Sequence, residues 1–241
     1  VELETWRWLI REFFDKGANS LESTGYLKFI PNFDMVDDAD LIFELEQFSE
    51  LGLNKKEAKK LLTYLLDEFR YSKAFKYPEI VSPNDDFFSP QNFQGAFCRI
   101  YPSEAKKQSG YMIKAWKPSA NYNNSRLDFL TKLAKTKGKD YSREAIIEIL
   151  NFCYEIFVNE ESPFHEYVIS ESNPNYGPIQ KIDTNLFCLV PGIENPDIEY
   201  YRCDKCHNIT TLNIADVCPT YRCDGKLNKI DMVDRLKNNH Y

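Results

Sequence analysis

The chain has 241 residues, of which 43% are hydrophobic and 15% aromatic, and its formal net charge is −7 at pH 7. This composition predicts an ordered globular chain and excludes a disordered one. No apolar run approaches the roughly 18–20 residues that cross a bilayer, and neither end resembles a secretory signal, so we expect a soluble, cytoplasmic protein with no membrane partner.

Charge is unevenly distributed along the chain. Residues 1–50 carry a net charge of −8, residues 51–150 carry +7 and residues 151–241 carry −6. The segment from Ser103 to Arg143 contains ten basic residues and only three acidic ones. The acidic average argues against a general nucleic-acid binder, whereas the basic middle predicts a local positive surface.

Apolar side chains at helical spacing predict a mostly helical first part, residues 1–159. The predicted helices span residues 2–15, 37–50, about 54–75, from Asn123 or Asn124 to Lys137, and from Ser142 to Phe157. Asn54 and Glu57 have the spacing of a capping box at the start of the third helix. The short connection before Asn54 leaves two alternatives for residues 37–75, a DNA-reading helix-turn-helix or an ordinary packed helix pair.

Period-two patterns predict strands at Tyr26–Ile30 and a β-hairpin embedded in the helical part, formed by Ala96–Tyr101 and Tyr111–Lys117 around residues 103–110. The second hairpin strand interleaves aromatic residues with lysines, a surface that can stack bases and neutralise phosphates. The alternative is a half-buried strand with solvated lysines. Local charge and aromatic content give five candidate nucleic-acid contacts: Lys114, Trp116, Lys117, Arg126 and Lys132.

From residue 160 the pattern becomes β-rich, with strands predicted at Glu166–Ser170 and Asn185–Val190 and a Pro/Gly/Asn loop between them. The fold class that follows is α+β. A mostly helical part, residues 1–159, precedes a β-rich part, residues 160–241, which closes in a zinc ribbon at residues 198–230.

The zinc ribbon is predicted from cysteine spacing. Cys203 and Cys206 are separated by two residues, and Cys218 and Cys223 by four. Two such knuckles can place four sulfurs about 2.3 Å from one Zn²⁺ and complete a tetrahedral shell. With no open coordination position, the ion would be structural rather than catalytic. Gly225, just after the last cysteine, suits a turn with positive φ.

Other roles for these cysteines stay open. Disulfides are one alternative, although they need an oxidising compartment. A redox pair at Cys203 and Cys206 is another, but it leaves the other two cysteines without a role. His207 could replace one cysteine as a ligand. Three further cysteines are predicted to be small buried residues: Cys98, Cys153 and Cys188.

Signatures of common enzymes are missing from the sequence. It has no phosphate-binding Gly-x-x-x-x-Gly-Lys-Ser/Thr loop, no dinucleotide fingerprint and no nucleophile elbow, so catalysis by this chain alone is not indicated. An enzyme with an unrecognised carboxylate site remains an alternative. A deep pocket lined by carboxylates with strongly shifted pKa values would favour it.

The cysteine motif has a resemblance to a known family. Residues 201–207 and 217–227, together with 239–241, resemble a segment of large bacterial DEAD/DEAH-box superfamily 2 helicases of phage-defence loci, which also carry a cysteine-containing C-terminal domain. Weaker similarity lies at Ser20–Gly25, at Trp116–Ser119 and at Arg126–Leu130. The motor motifs are missing here, so the resemblance does not carry ATP hydrolysis over to these residues.

The resemblance implies an insertion between the two motor domains of an ATP-dependent helicase, and we expect the chain to be a piece of that larger protein. Nucleic acid, in particular DNA, and proteins of the defence system are the implied partners. The leading hypothesis is a non-catalytic zinc-binding domain that contributes to nucleic-acid contact. The alternative is a structural or protein-interaction zinc module that links the motor domains without binding nucleic acid itself.

Overall fold

The computed structural model describes residues 1–17, 19–100, 111–119 and 122–238. Their fold is α+β, as predicted. The helices are α1 (Glu2–Phe14), α2 (Ala39–Ile42), α3 (Glu46–Glu50), α4 (Lys55–Tyr71), α5 (Ser125–Thr136), α6 (Arg143–Val158) and α7 (Met232–Asn238). Within the described ranges, no helix is both long and apolar enough to span a bilayer.

Helix α4 is the centre of the helical part. Its predicted capping box is confirmed: Asn54 Oδ1 accepts from the Glu57 amide and Glu57 Oε2 accepts from the Asn54 amide, both at 3.1 Å. Every residue from Tyr64 to Arg70 is buried. This half of α4 therefore cannot lie in a DNA groove, which favours the packed helix pair over the helix-turn-helix alternative.

The predicted helix at 37–50 is two short helices instead of one. Phe43 packs against Phe33 with ring centroids 5.2 Å apart, and Phe48 is also buried. Five residues along one helix, Phe43 and Phe48 would point about 140° apart around its axis. The break between α2 and α3 lets both rings enter the core.

Nine strands form three sheets in the described part of the chain. They are β1 (Leu27–Pro31), β2 (Gln94–Ile100), β3 (Tyr111–Lys117), β4 (Val168–Asn173), β5 (Gly177–Ile182), β6 (Phe187–Pro191), β7 (Tyr200–Cys203), β8 (Ile209–Thr210) and β9 (Leu227–Ile230). The sheets have the orders β1-β6, β3-β2-β5-β4 and β8-β7-β9. The sequence pattern of residues 209–214 predicts a longer strand than β8, which has only two residues.

The predicted hairpin is wrong, although both of its strands exist. Strands β2 and β3 are parallel, with Ala96 beside Ile113 and Cys98 beside Ala115. Period-two alternation identifies a strand but not the direction of its neighbour, which is decided by tertiary pairing. The connection at 103–110 lies outside the described residues, as does the segment 239–241 that contributed to the family resemblance.

The loop predicted before β6 contains a strand that the sequence analysis missed, β5. Its second residue, Pro178, is exposed, and the residues that follow it are buried between β2 and β4. A proline near the start of a strand leaves the rest of the ladder intact. Because glycine and proline are typical of loops, the sequence pattern does not predict this strand.

Two of the sheets join the two predicted parts of the chain. Strand β2 pairs with β5, and β1 pairs with β6, across the predicted boundary at residues 159 and 160. The main apolar cluster likewise includes residues from Ile10 to Val217. The sheet β8-β7-β9 has a small cluster of its own, in which Cys203 and Cys218 are central members.

Candidate metal centre and the adjoining cleft

Four cysteine sulfurs converge at the end of β7. All four lie within 4.8 Å of one another, and the pairs Cys203–Cys223 and Cys206–Cys218 are each 3.6 Å apart. Four thiolates about 2.3 Å from one tetrahedral Zn²⁺ would be about 3.8 Å apart. The sequence prediction that these residues form one cluster is confirmed, and the cluster can hold a metal ion.

The backbone turns bring the sulfurs together. Strand β7 delivers Cys203, whose sulfur accepts from the Lys205 amide at 3.4 Å. His207 and Arg222, next to Cys206 and Cys223, both have a φ of 60°. The side chain of His207 is exposed and is not part of the converging group found among the described residues, which favours four cysteines over a His-containing set.

The glycine after the second knuckle is required by space. A Cβ on Gly225 would lie 2.4 Å from Cys203 Sγ and 2.7 Å from Asp204 Oδ1. Such approaches are far inside van der Waals contact. The predicted positive φ is not the reason for the glycine, because Gly225 is not among the positive-φ residues of the described chain.

The sulfurs differ in their surroundings. Cys203 and Cys218 are fully buried, whereas Cys206 is exposed. Burial raises the pKa of Cys218 to about 12. Burial also raises the pKa of Cys206, but hydrogen bonds with Thr220, the Asn208 backbone and the neighbouring cysteines outweigh it and lower the value to about 6. A bound cation would favour the thiolate form of all four, because metals ligate thiolates and not thiols.

None of the four is in a disulfide, and 3.6 Å is far beyond a sulfur–sulfur bond. A redox pair at Cys203 and Cys206 would not explain why the other two sulfurs join the same cluster. The predicted burial of the remaining cysteines is confirmed for Cys98 and Cys153, while Cys188 is half-buried.

Lys132, a predicted nucleic-acid contact, instead anchors the second knuckle. Its ammonium donates to the carbonyls of Thr220 and Cys223 at 3.0 and 2.9 Å. Asp128, one turn earlier on α5, pairs with this ammonium at 2.9 Å. The same carboxylate accepts from the Arg222 amide at 3.1 Å. Helix α5 thus holds the backbone of residues 220–223 through the Lys132 ammonium and the Asp128 carboxylate.

Further contacts join the ribbon, residues 200–230, to the helices. Lys60 donates to the Asn213 carbonyl at 3.0 Å, and the Tyr221 hydroxyl donates to the Asn123 carbonyl at 3.1 Å. Ile214 lies in the main core and is 1% exposed. The ribbon is therefore fixed at several points along its length.

Trp116 and Arg126 are not on the predicted nucleic-acid surface. Trp116 is 0% exposed and donates its indole N–H to the Leu150 carbonyl at 2.9 Å. Arg126 is 4% exposed, pairs with Glu68 at 3.1 Å and donates to the Ala115 carbonyl. Neither side chain can reach a base or a phosphate, because α5 and α6 cover this side of the sheet. These two assignments are corrected to core residues.

Lys114 and Lys117 are the predicted contacts that retain access to solvent. Lys114 is exposed, and its ammonium donates to the Ser72 hydroxyl at 3.2 Å. Lys117 is half-exposed. Their strand, β3, is an edge of the four-stranded sheet. Of the three candidate contacts on this strand, only the two lysines are therefore at least partly exposed.

Between α4 and the ribbon lies a cleft of about 620 Å³, which the sequence analysis did not locate. Its floor is one face of α4, formed by Lys60, Thr63, Tyr64, Asp67, Glu68 and Tyr71. Residues 208–212 and 219–221 of the ribbon contribute the facing wall, and residues 195–200 lead into it. The metal cluster thus lies in the element that walls the cleft.

Several carboxylates of the cleft are neutralised within the protein. Glu22 pairs with buried Arg70 at 2.7 Å and with Lys28 at 3.1 Å. Burial raises the pKa of Glu22, but these cations outweigh it and the pKa lies below its ordinary value. Glu68 behaves in the same way: burial is outweighed by Lys16 and Arg126, and its pKa is also lowered.

Asp67 also lies beside a cation, but its pKa is raised and not lowered. Arg70 Nε lies 3.0 Å from Asp67 Oδ1, but the direction of its N–H gives that oxygen no hydrogen bond. Burial raises the pKa of Asp67 more than the cations Arg70 and Lys28 lower it. Adjacent residues of one helix therefore have opposite pKa shifts, raised at Asp67 and lowered at Glu68. The spacing of 64, 67, 68 and 71 places these side chains on one helical face, but only the fold shows that this face lines a cleft opposite the ribbon.

No protein-family model matches this chain, and no curated protein or solved structure matches it significantly. The function must therefore be inferred from the chain's own residues.

Proposed function

We propose that this chain is a non-catalytic accessory module in which one Zn²⁺ fixes a ribbon against a helical body. The observation that carries the proposal is the convergence of four sulfurs within 4.8 Å. Four thiolates form a closed, soft tetrahedral shell, the arrangement typical of structural zinc. Four protein ligands leave no position for a substrate or a reactive water.

Two features support a bracing role for the ion. The apolar cluster of the ribbon consists of Tyr201, Cys203, Cys218 and Leu227, so two of its four members are ligands. A core of that size cannot offset the conformational entropy of ordering about thirty residues. Binding of the metal would supply the missing free energy. The contacts from Lys132 and Lys60 then transmit this rigidity to α5 and α4.

The larger setting that we propose is an accessory position in an ATP-dependent helicase of the phage-defence type. It rests on the residue pattern of the cysteine motif. Of the two hypotheses within this setting, the structural or protein-interaction module is better supported. The burial of Trp116 and Arg126 and the anchoring role of Lys132 remove three of the five candidate nucleic-acid contacts.

Elemental analysis of the protein, purified without added metal, tests the proposal. We expect close to one zinc per chain and little iron, nickel or copper. The Cys203→Ser variant should lose most of this zinc, while Cys153→Ser, which changes a buried cysteine outside the cluster, should keep it. Protein that is folded through the ribbon and free of zinc would contradict the proposal.

Contact with nucleic acid through β3 is the second candidate function, favoured by Lys114 and Lys117, which are exposed and half-exposed residues on an edge strand. Fluorescence anisotropy with single-stranded and duplex DNA at low salt tests it. The double variant Lys114→Glu/Lys117→Glu should weaken binding, and the matched variant Lys55→Glu/Lys56→Glu, at the exposed start of α4, should not. Equal effects of the two double variants would indicate non-specific attraction and count against this surface.

A further inference from the structure

The four sulfurs of the metal cluster differ in their access to solvent. Cys203 and Cys218 are 0% exposed, Cys223 is half-buried and Cys206 is exposed. Cys206 also lies in an exposed turn, since every residue from 204 to 208 is exposed. A thiolate reacts with an oxidant only where the oxidant can reach it, so a small oxidant from solvent meets the Cys206 sulfur first.

The exposed sulfur has a second sulfur beside it. Cys206 Sγ lies 3.6 Å from Cys218 Sγ. A disulfide bond is about 2.05 Å long, so the two sulfurs need to approach each other by about 1.6 Å to form one. The exposed turn of residues 204–208 can supply this movement. Cys206 and Cys218 thus have the arrangement of an oxidant-sensing pair, in which an accessible thiolate lies next to a resolving thiolate.

The remaining cysteines are less suited to this reaction. Cys203 and Cys223 are also 3.6 Å apart, but Cys223 is half-buried and its carbonyl accepts from the Lys132 ammonium at 2.9 Å, which fixes the backbone there. Cys153 is 0% exposed, and Cys188 is a half-buried residue of β6, outside the cluster. The geometry therefore favours one pair, which joins the first knuckle to the second.

We propose that the metal centre is a redox-sensitive switch, in which hydrogen peroxide or an organic hydroperoxide oxidises Cys206 and Cys218 to a disulfide and releases the zinc. This inference rests on the proposed function, because it names the regulation of the same site. The oxidant is the only co-reactant that the reaction needs, and a cellular thiol reverses the reaction by disulfide exchange.

The reaction balances in atoms and electrons. The Cys206 thiolate attacks one oxygen of the peroxide, which forms a sulfenic acid and releases hydroxide. The Cys218 thiolate then attacks the Cys206 sulfur, forms the S–S bond and displaces a second hydroxide, and two protons convert both hydroxides into water. Two thiolates lose two electrons, and one peroxide gains them. Cys203 and Cys223 remain as thiolates, which are too few to complete a tetrahedral shell, so the Zn²⁺ is released.

Release of the ion changes the surface that the ribbon presents. Cys218 belongs to the small apolar cluster of the ribbon, and residues 219–221 directly after it form part of the cleft wall. A ribbon that has lost its ion is no longer braced, so this wall loses its fixed position against α4. Oxidation would thereby switch off an interaction that depends on the braced ribbon.

The test uses the zinc-loaded full chain and hydrogen peroxide in increasing amounts. A chromogenic chelator measures the zinc released, and mass spectrometry after alkylation identifies the cysteine pairs. We expect one zinc released for each disulfide formed, with Cys206–Cys218 as the first and main pair. Dithiothreitol and added zinc should restore the metal content.

Two protein variants localise the effect. Cys206→His removes the attacking sulfur and keeps a nitrogen ligand, since three cysteines and one histidine also form a structural zinc shell. This variant should bind zinc and release it to peroxide about tenfold more slowly, because the accessible thiolate is missing. Cys188→Ser, outside the cluster, should release zinc at the rate of the unaltered protein. If Cys206→His fails to bind zinc, the identity of the disulfide in the unaltered protein still decides the matter.

Three outcomes would overturn the inference: zinc retained in excess peroxide, Cys203–Cys223 as the first disulfide, or zinc lost with sulfinic acids and without a disulfide. Zinc is measured on the same sample before the oxidant is added. Zinc-loaded protein that resists peroxide would defeat the inference and leave the proposed function standing, whereas metal-free folded protein would defeat the proposed function itself.

Discussion

The ribbon and the helical body are stabilised by different means. In the body, aromatic rings pack edge to face. The ring centroid of Phe13 lies 5.0–5.1 Å from those of Phe29, Phe75 and Phe187. In the ribbon, the cysteines themselves are the centre of the apolar cluster. A large apolar core stabilises its fold directly, whereas a small one needs a cross-link or a metal.

This difference also explains which predictions succeeded. The metal cluster depends on sequence-local geometry, because each knuckle brings two sulfurs together within a few residues. The basic middle segment depends on which elements pack over it. Features that depend on neighbouring residues were therefore easier to predict than surfaces. Variants of the ribbon and of the helical body separate the stability of these two regions.

The largest expected effect is the loss of one ligand. Cys218→Ser should abolish metal binding and unfold residues 200–230, while α1, α4 and α6 remain folded, because the ribbon depends on the ion and the body does not. Circular dichroism should show retained helix, and limited proteolysis should cut within the ribbon. Cys188→Ser, which changes a half-buried cysteine far from the cluster, serves as the control. Loss of the helical signal in Cys218→Ser alone would show that the two regions are not separable.

Gly225→Ala should have the next largest effect. The added methyl would meet Cys203 Sγ at 2.4 Å, so either the sulfur leaves the cluster or the second knuckle shifts. We expect weaker metal retention in a competition with a chelator. Gly138→Ala is the matched control: Gly138 has a φ of +73° but no atom within 4 Å of the added Cβ. Equal metal retention in the two variants would show that the close approach is unimportant.

Lys132→Met should loosen the ribbon without removing the metal. The substitution deletes two hydrogen bonds to carbonyls and one ion pair, and it keeps the aliphatic stem. We expect a loss of about 1–3 kcal/mol in the free energy of unfolding, since removal of a charged donor leaves two partly buried carbonyl acceptors unpaired. Lys135→Met, at an exposed position of the same helix, should lie within about 0.5 kcal/mol of the unaltered protein. A similar small effect in both would argue against the anchoring role of Lys132.

The smallest effect is expected at the start of α4. Asn54→Ala removes the capping box and should cost about 1 kcal/mol of body stability. Zinc content should not change, because no contact within the described residues links this cap to the cysteines. Lys56→Ala, a neighbouring exposed position, provides a control for the loss of a side chain. A fall in zinc content would contradict the independence of the two regions.

Much of the fold could be predicted from the sequence because its signals are local. Caps and apolar stripes placed α1, α4, α5 and α6 within a few residues, and cysteine spacing placed the metal cluster. The parallel pairing of β2 with β3 and the pairing of β2 with β5 could not be predicted, since they join segments whose relation is set by the fold. The same limit explains Trp116, whose position in a basic strand gave no indication that α6 would cover it.

The cleft between α4 and the ribbon shows this limit most clearly. Tyr64, Asp67 and Glu68 appear in the sequence as part of a helix, where charged residues usually mark a solvated face. Tyr64 packs against Phe129 and Glu68 pairs with Arg126, so their burial follows from α5, which lies about sixty residues further along the chain. A deep pocket lined by carboxylates with strongly shifted pKa values is the sign expected of an enzyme, and the location of the cleft's carboxylates, whose pKa values shift in opposite directions, could only be found in the folded structure.

Hydrogen exchange of the protein with and without a zinc chelator tests the central claim most directly. We expect amides of residues 200–230 to lose protection when the metal is removed, while amides of α4 and α6 keep theirs. Equal protection of the ribbon with and without zinc, or a uniform loss across both regions, would contradict the account.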